Sequence, residues 1–162
     1  MRVFWMAVLV LTTLLGGCDY FARRDLQPGV STQADVRRYM GTPEIIWEEP
    51  DGSRVYEYVR APLGHETWMV LIGPDGTYQR MENVLVPARL AKVSAGQSRD
   101  DVRRYLGKPT EIEYFERRNE EVWSWRHKGE VWESAMFHVY FGPDGRVLRT
   151  ETMRDPRLDN AS

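Results

Sequence analysis

The sequence predicts an α+β protein that consists of one small unit repeated in tandem. Two nine-residue stretches, 35–43 and 101–109, are identical at seven positions and begin 66 residues apart. A Gly-Pro-Asp-Gly segment also occurs twice, at 73–76 and 142–145. Because this spacing is longer than the period of solenoid repeats, it indicates a duplicated domain.

Each copy begins with a short helix that has recognisable start and stop signals. In the first copy, Thr32 and Asp35 form a capping box, and apolar residues then recur at helical spacing. This spacing places Arg37 and Arg38 on the outward face, as solvated side chains or against lipid phosphates. Gly41 stands where a left-handed C-cap ends a helix. The second copy repeats these features at Ser98, Asp101, Arg103, Arg104 and Gly107.

Strand patterns follow each of these helices. The segments 45–59 and 111–127 each predict a strand, a turn and a second strand. The Gly-Pro-Asp-Gly segments then predict hairpins over 67–84 and 136–153. Each unit is therefore expected to hold a meander of three or four antiparallel strands. A further helix is expected before each capped helix, over 20–26 and 87–93.

The N-terminus resembles the signal peptide of a bacterial lipoprotein. Arg2 precedes thirteen uncharged residues, 3–15, which are too few to span a membrane because a helix needs about 20. Leu15 and two glycines then precede Cys18, the only cysteine, in the pattern of a lipobox. This resemblance implies cleavage before Cys18 and lipidation of its sulfur, which would anchor the chain to a membrane. The alternative is a short buried helix at the start of the chain.

The predicted organisation has five segments. These are a signal peptide (1–17), a lipidated linker (18–28), a first domain (29–85), a second domain (86–153) and a polar, disordered tail (154–162). The expected location is the bacterial cell envelope, facing the periplasm, with the outer membrane favoured. Asp19 resembles an inner-membrane retention signal, so the inner membrane is the alternative.

Composition and motifs favour binding over catalysis. A formal net charge of −2 gives no basic patch for nucleic acid. The histidines His65, His127 and His138 lack the spacing of metal ligands, and no serine lies in a Gly-x-Ser-x-Gly motif. We therefore expect no catalytic residue, no metal and no cofactor. His138 is expected to face solvent or to be hydrogen-bonded on a sheet face.

Aromatic residues at alternating strand positions are the candidate protein-binding residues. Tyr56 and Tyr58 share one face of a strand, as do Trp123 and Trp125, because strand side chains alternate. Tyrosine and tryptophan are typical of interface hot spots, and Trp132 joins these candidates. Packing of the same rings in the core is the alternative. Strands that are apolar on both faces must bury the second face against the other copy or against a partner.

The capped helix, the aromatic strand and the Asp-Gly turn, behind a lipobox, together resemble the SmpA/OmlA (BamE-like) domain of outer-membrane lipoproteins. The matching residues are Asp35, Val36, Gly41, Pro43, Tyr56, Tyr58, Asp75 and Gly76, then Asp101, Val102, Leu106, Gly107, Pro109, Trp123, Trp125, Asp144 and Gly145. The resemblance implies two tandem α-α-β-β-β units, each with its helices packed on one face of an antiparallel sheet. A tandem of this kind is also similar to β-lactamase inhibitory protein, in which a curved sheet grips another protein.

These features predict a non-enzymatic lipoprotein that binds protein partners. The leading hypothesis is an accessory or scaffold role in the cell envelope, with the outer-membrane β-barrel assembly machinery as the candidate partner. An alternative is an inhibitor-like module that clamps an envelope enzyme on its curved sheet. A third is an inner-membrane lipoprotein with an unrelated partner, which follows from Asp19.

Overall fold

A computed structural model describes residues 25–62, 64–131 and 133–157. The lipidation candidate Cys18, its neighbour Asp19 and the aromatic candidate Trp132 lie outside these residues, as does most of the helix predicted over 20–26. Within the described ranges, no helix has the length and apolar character needed to cross a membrane.

The described chain is mixed α+β and consists mostly of sheet. In the first copy, the elements are α1 (Gln33–Met40), β1 (Ile45–Glu48), β2 (Arg54–Val59), β3 (Thr67–Ile72) and β4 (Tyr78–Asn83). In the second copy, they are α2 (Pro87–Leu90), α3 (Arg99–Leu106), β5 (Glu111–Phe115), a 3-10 turn (Glu116–Arg118), β6 (Glu120–His127), β7 (Ala135–Phe141) and β8 (Val147–Arg154).

The strands form two meanders, in the orders β1-β2-β3-β4 and β5-β6-β7-β8. Their short connections make them antiparallel, since parallel pairing would need a long crossover. The three-stranded unit implied by the SmpA/OmlA resemblance is therefore wrong in strand number. The whole strand-turn-strand segment joins the hairpin in each copy, which gives four strands per sheet. The helix expected over 87–93 is shorter than predicted and ends at Leu90.

Both predicted capping boxes are confirmed. The Thr32 hydroxyl accepts from the Asp35 amide at 3.3 Å, and the Asp35 carboxylate accepts from the Thr32 amide at 2.9 Å. In α3 the same two bonds join Ser98 and Asp101 at 3.1 and 2.9 Å. These bonds satisfy amide groups that the first turn of a helix leaves without a partner.

The glycines that end α1 and α3 differ from the prediction. Gly41 and Gly107 have the expected positive φ, 85° and 80°, but their ψ angles are −154° and −170°. They are therefore extended rather than left-handed helical. This combination of angles is essentially restricted to glycine, and it turns the chain from the helix directly toward the next strand.

The compact units of the chain do not coincide with the two copies. One unit holds the described residues up to Tyr56 together with Val70–Arg80. The other holds Glu57–Met69 and the described residues from Met81 onward. A segment from the middle of the first copy thus packs with the second copy, and the domain boundary at 85/86 stays a prediction.

The second sheet has two distinct faces, which the strand register defines. The inner face carries the buried rings of Trp123, Trp125, Phe137 and Phe141. The outer face carries alternate residues, among them Ser124, His138, Tyr140 and Glu151, of which the last three are partly or fully exposed. Residues from Val122 to His127 are all buried, so β6 is covered on both faces. Packing of the helices on one face of each sheet stays a prediction.

Candidate functional site

The aromatic residues predicted to bind a partner are core residues. Tyr56 and Trp125 have no exposed surface, and Tyr58 and Trp123 keep 2% and 9%. Their polar atoms have partners inside the chain: Trp125 Nε1, for example, donates to the Gly107 carbonyl at 3.1 Å. The burial corrects their expected location, because large rings in small domains are needed to fill the interior. Trp132 lies outside the described residues.

Strand β5 is instead the element that exposes large apolar side chains. All five of its residues are exposed, and the strand order makes β5 an edge of its sheet. Ile112, Tyr114 and Phe115 expose 57%, 59% and 37% of their surface. In the first copy, the corresponding strand β1 keeps its three apolar residues half-buried. The exposure therefore belongs to the second copy and is not a property of the repeated fold.

The register with β6 assigns these side chains to the two faces. Ile112 pairs with Trp123 and Tyr114 with Glu121, which places both on the inner-face side. Glu111 and Glu113 alternate with them and lie on the outer-face side, because directly opposed residues share a face. β5 thus presents Ile112 and Tyr114 on one side, and Glu111 and Glu113 on the other, where Phe115 follows them at the end of the strand.

The turn that follows β5 holds its aromatic residues in place. The Arg118 guanidinium lies over the Phe115 ring, 5.2 Å from its centroid, and the Tyr114 hydroxyl donates to the Asn119 side chain. Asn119 adopts the left-handed conformation, with a φ of 51°, which asparagine tolerates better than most residues. We call residues 111–119 the β5 hairpin arm; all nine are exposed.

A polar network covers the adjacent outer face. Arg149 donates two hydrogen bonds to Glu120, at 2.9 and 3.0 Å, and these bonds hold the pKa of the Glu120 carboxyl below its usual value. The same guanidinium lies 3.7 Å from the centroid of the Tyr140 ring. His138 Nδ1 is 2.7 Å from the Ser124 hydroxyl, which matches the expected hydrogen-bonded histidine on a sheet face.

One cluster contains buried Ser134 and Asp155 with half-buried His65, but these residues are not in a catalytic order. The Ser134 hydroxyl donates to Asp155 at 2.8 Å and is 2.8 Å from His65 Nε2. In a hydrolase triad the carboxylate orients the histidine, and the histidine takes the serine proton. Here the carboxylate holds the serine itself and pairs with Arg126. Among the described residues, no group of three or more His, Cys, Asp or Glu side chains is arranged to hold a metal.

A cavity of about 390 Å³ lies beside α2, lined in part by Leu90, Ala135, Phe137 and His127. Burial lowers the pKa of His127, so its imidazole is neutral at pH 7. Its Nδ1 is 3.1 Å from the Lys128 carbonyl, which can only accept, so Nδ1 carries the proton. His127 Nε2 is buried and has no hydrogen-bond partner among the described residues.

Comparisons with known proteins show no family for this chain. No protein-family model and no curated protein sequence matches it, so the SmpA/OmlA resemblance rests on its motifs alone. A solved DUF4309 family protein (YjgB) from Bacillus subtilis subsp. subtilis str. 168 is similar, with 15% identity and a TM-score of 0.33, over 81% of this chain and 83% of that protein.

A second similar structure is described as a "putative beta-lactamase inhibitor protein" from Streptococcus mutans. It has 10% identity and a TM-score of 0.34, over 86% of this chain and 97% of that protein. Both TM-scores are low, so neither likeness carries an argument about function. The candidate function therefore depends on the geometry of the chain itself.

The sequence contained a signal for the β5 hairpin arm that the search for aromatic pairs missed. Glu111-Ile112-Glu113-Tyr114 alternates carboxylates with apolar residues, a pattern typical of an exposed edge strand. Trp123 and Trp125 have the same alternation but lie on a central strand, where neighbours on both sides bury them.

Proposed function

We propose that this chain is a non-enzymatic module that binds another protein through the β5 hairpin arm. The carrying observation is the exposure of Ile112 and Tyr114 together on one face of an ordered strand, with Phe115 exposed on the other face. Clustered apolar side chains on a folded surface are typical of interaction sites. Because Ile112 and Tyr114 are 57% and 59% exposed, complete burial of each in an interface would contribute about 1–1.5 kcal/mol of transfer free energy.

The network on the outer face supports the same proposal. Arg149 and Tyr140 are held by bonds to Glu120 and Glu151, so their positions are set before a partner arrives. Preorganised side chains lose less conformational entropy on binding. The arm adjoins this face through the Phe115–Glu120 pair of the register, because Phe115 lies on the outer-face side, whereas Ile112 and Tyr114 lie on the inner-face side.

We also propose that the protein is anchored to the periplasmic side of a bacterial membrane through lipid on Cys18. The signal-peptide pattern and the position of the single cysteine support this. Cys18→Ala should release the protein from membranes into the soluble fraction, and tight attachment of that variant would refute the anchor. Fractionation of Asp19→Ser against the natural sequence tests the choice of membrane: outer-membrane placement of both is expected.

Site-specific photo-cross-linking in envelope preparations tests the binding surface. A benzoyl-phenylalanine replaces Tyr114 in one variant and Val30 in a matched control, since Val30 is also apolar and 69% exposed. We expect a discrete cross-linked protein with Tyr114 and none with Val30. Equal adducts at both positions, or none at Tyr114, would contradict the proposed surface.

The identity of the cross-linked protein separates the hypotheses for the partner. A component of the β-barrel assembly machinery would support the accessory role. An envelope enzyme, inhibited in proportion to its occupancy, would support the inhibitor-like role. In either case, Ile112→Ser together with Tyr114→Ser should weaken cross-linking from a probe placed at Glu116, while Val30→Ser should leave it unchanged.

A further inference from the structure

The backbone of β5 has an open hydrogen-bonding edge. β5 is paired with β6 on one side only and ends the order of its sheet. An edge strand presents a row of amide and carbonyl groups that another extended chain can pair with. All five residues are exposed, and among the described residues β6 is the only strand that pairs with β5.

The carboxylates of β5 distinguish it from its neighbours. Glu111 and Glu113 form no ion pair with the described residues, whereas Glu120 pairs with Arg149 and Glu121 with Arg99. Two carboxylates without an ion pair to the described residues therefore lie on the same face of the open edge, on the same side as His138, on which their charges act. The basic residues nearest in sequence are Lys108, before the strand, and Arg117 and Arg118, in the 3-10 turn beyond its end.

We propose that the partner adds a strand to the β5 edge, and that this strand carries basic side chains beside Glu111 and Glu113. Because Ile112 and Tyr114 alternate with the carboxylates, the added strand is apolar at the intervening positions. This alternating basic and apolar segment is about as long as β5. The inference rests on the proposed function, because it specifies the mode and the charge of binding at the same surface.

Strand addition combines two contributions to binding, one from the backbone and one from the side chains. Backbone pairing supplies affinity without regard to sequence, and the alternate side chains supply specificity. Opposite charges on directly facing strand residues are favourable, and like charges are unfavourable. The carboxylates thus select a basic segment and also discourage β5 from pairing with the β5 of a second copy, where Glu113 would face an acidic strand.

Designed peptides test strand addition at the β5 edge directly on the full chain. The probe is acetyl-Lys-Val-Lys-Val-Lys-Val-amide, and its matched controls are the same peptide with Glu in place of Lys and a version with alternate backbone amides N-methylated. Binding is measured by fluorescence anisotropy at low salt. We expect the Lys peptide to bind at least about fivefold more tightly than the Glu peptide, and the N-methylated peptide to lose at least about tenfold.

A charge exchange in the protein provides the reciprocal measurement. The Glu111→Lys and Glu113→Lys double variant should reverse the preference, so that it binds the Glu peptide more tightly than the Lys peptide. Hydrogen exchange of the amides in 111–115 should slow when the Lys peptide is bound to the natural sequence. The control is the Glu116→Lys and Glu130→Lys double variant, whose substitutions lie outside the strand. It should leave the preference for the Lys peptide unchanged.

The outcomes also separate this inference from the proposed function. If Tyr114 cross-links a partner but N-methylation and charge exchange have no effect on peptide binding, the surface is correct and strand addition is wrong. If no peptide binds and the β5 amides exchange at the same rate throughout, the carboxylates only protect the edge from aggregation, and the inference is overturned. Absence of a cross-link at Tyr114 would overturn both.

Discussion

Glu57 in β2 and Arg103 in α3 form an ion pair of 2.7 Å, although one residue belongs to the first copy and the other to the second. Glu57 has no exposed surface, and its second carboxylate oxygen accepts from the backbone amide of Lys108 at 2.8 Å. The pair is one of the contacts that join 57–69 to the second copy within one compact unit. A buried carboxylate requires such partners, because an isolated one would lose its hydration without compensation.

Loss of Arg103 should therefore destabilise the protein much more than loss of its neighbour. Arg103→Ala removes one partner of a buried ion pair with Glu57, which typically costs about 3–5 kcal/mol. Arg104→Ala removes an exposed side chain and should change the unfolding free energy by less than about 0.5 kcal/mol. Urea denaturation of the two variants makes the comparison, and equal midpoints would contradict the role assigned to the pair.

The two helix-ending glycines provide a second matched comparison. An alanine Cβ at Gly107 would lie 2.7 Å from Thr67 Cγ2 and 3.2 Å from the Glu57 carboxylate, whereas at Gly41 it would meet nothing within 4 Å. Both positions have a positive φ, so each substitution costs about 1–3 kcal/mol of backbone strain. Gly107→Ala should cost more than Gly41→Ala by the added clash. Thermal unfolding of both variants measures the difference; a larger loss for Gly41→Ala would refute this explanation.

The capping boxes should contribute to the dependence of the unfolding free energy on pH in acid. Hydrogen bonds from the Thr32 amide and hydroxyl lower the pKa of Asp35, and those from the Ser98 hydroxyl and amide lower the pKa of Asp101. A folded-state pKa below the unfolded value of about 3.9 means that the stabilisation is present above about pH 4. It is lost as the pH falls through the folded-state values.

The Thr32→Ala and Ser98→Ala double variant should therefore show a smaller fall in unfolding free energy between about pH 4 and pH 2 than the natural sequence. Denaturant titrations at several pH values provide the measurement. An unchanged acid slope would show that the caps contribute no pH dependence.

The sequence predicted the local elements well because their signals are local. The capping boxes at Thr32 and Ser98 and the Gly-Pro-Asp-Gly hairpins depend on a few adjacent residues, and the structure contains all of them. The exposure of β5 and the partners of Glu57 could not be predicted in the same way. They depend on which strand lies at an edge and on contacts between residues 46 positions apart.

Arg103 shows most clearly what the pattern of a single helix cannot predict. Helical spacing placed it with Arg37, Arg38 and Arg104 as an outward-facing arginine, and for those three the expectation is confirmed by their exposure. The same spacing applies to Arg103, yet Arg103 forms an ion pair with the buried carboxylate of Glu57 from the first copy. Amphipathic patterns describe one helix at a time, so they cannot show a charge that a distant strand supplies.

The unfolding free energy should also depend on pH closer to neutrality, through two histidines. Burial lowers the pKa values of His127 and His138 below about 6.5. The unfolded chain therefore binds protons at these sites before the folded chain does, and the unfolding free energy should fall as the pH decreases from about 6.5. His127→Gln should reduce this slope between about pH 6.5 and 5. Chemical denaturation across that range measures it, and a slope as steep as in the natural sequence would contradict the effect of burial.

The end of the described chain is more ordered than its polar composition suggested. The tail predicted over 154–162 begins with the last residue of β8, Arg154, and continues with Asp155, which is 2% exposed. Asp155 accepts hydrogen bonds from Arg126 Nε, from Ser134 at 2.8 Å and from the Arg157 amide at 3.1 Å. The local polar composition could not show this order, because Arg126 and Ser134 lie more than 20 residues from Asp155 in the sequence; for the residues after Arg157 the tail stays a prediction.

Two truncated chains, one without Asp155 and one with it, test whether this residue stabilises the fold. A chain that ends at Arg154 loses Asp155 and leaves the guanidinium of Arg126, 2% exposed, without its carboxylate, at a cost of about 3–5 kcal/mol. A chain that ends at Arg157 keeps Asp155 and the bond from Arg157 Nη2 to the Pro62 carbonyl at 2.8 Å. It should unfold near the temperature of the full chain. Similar melting temperatures for the two truncations would contradict this account, because only the first removes the partner of a buried charge.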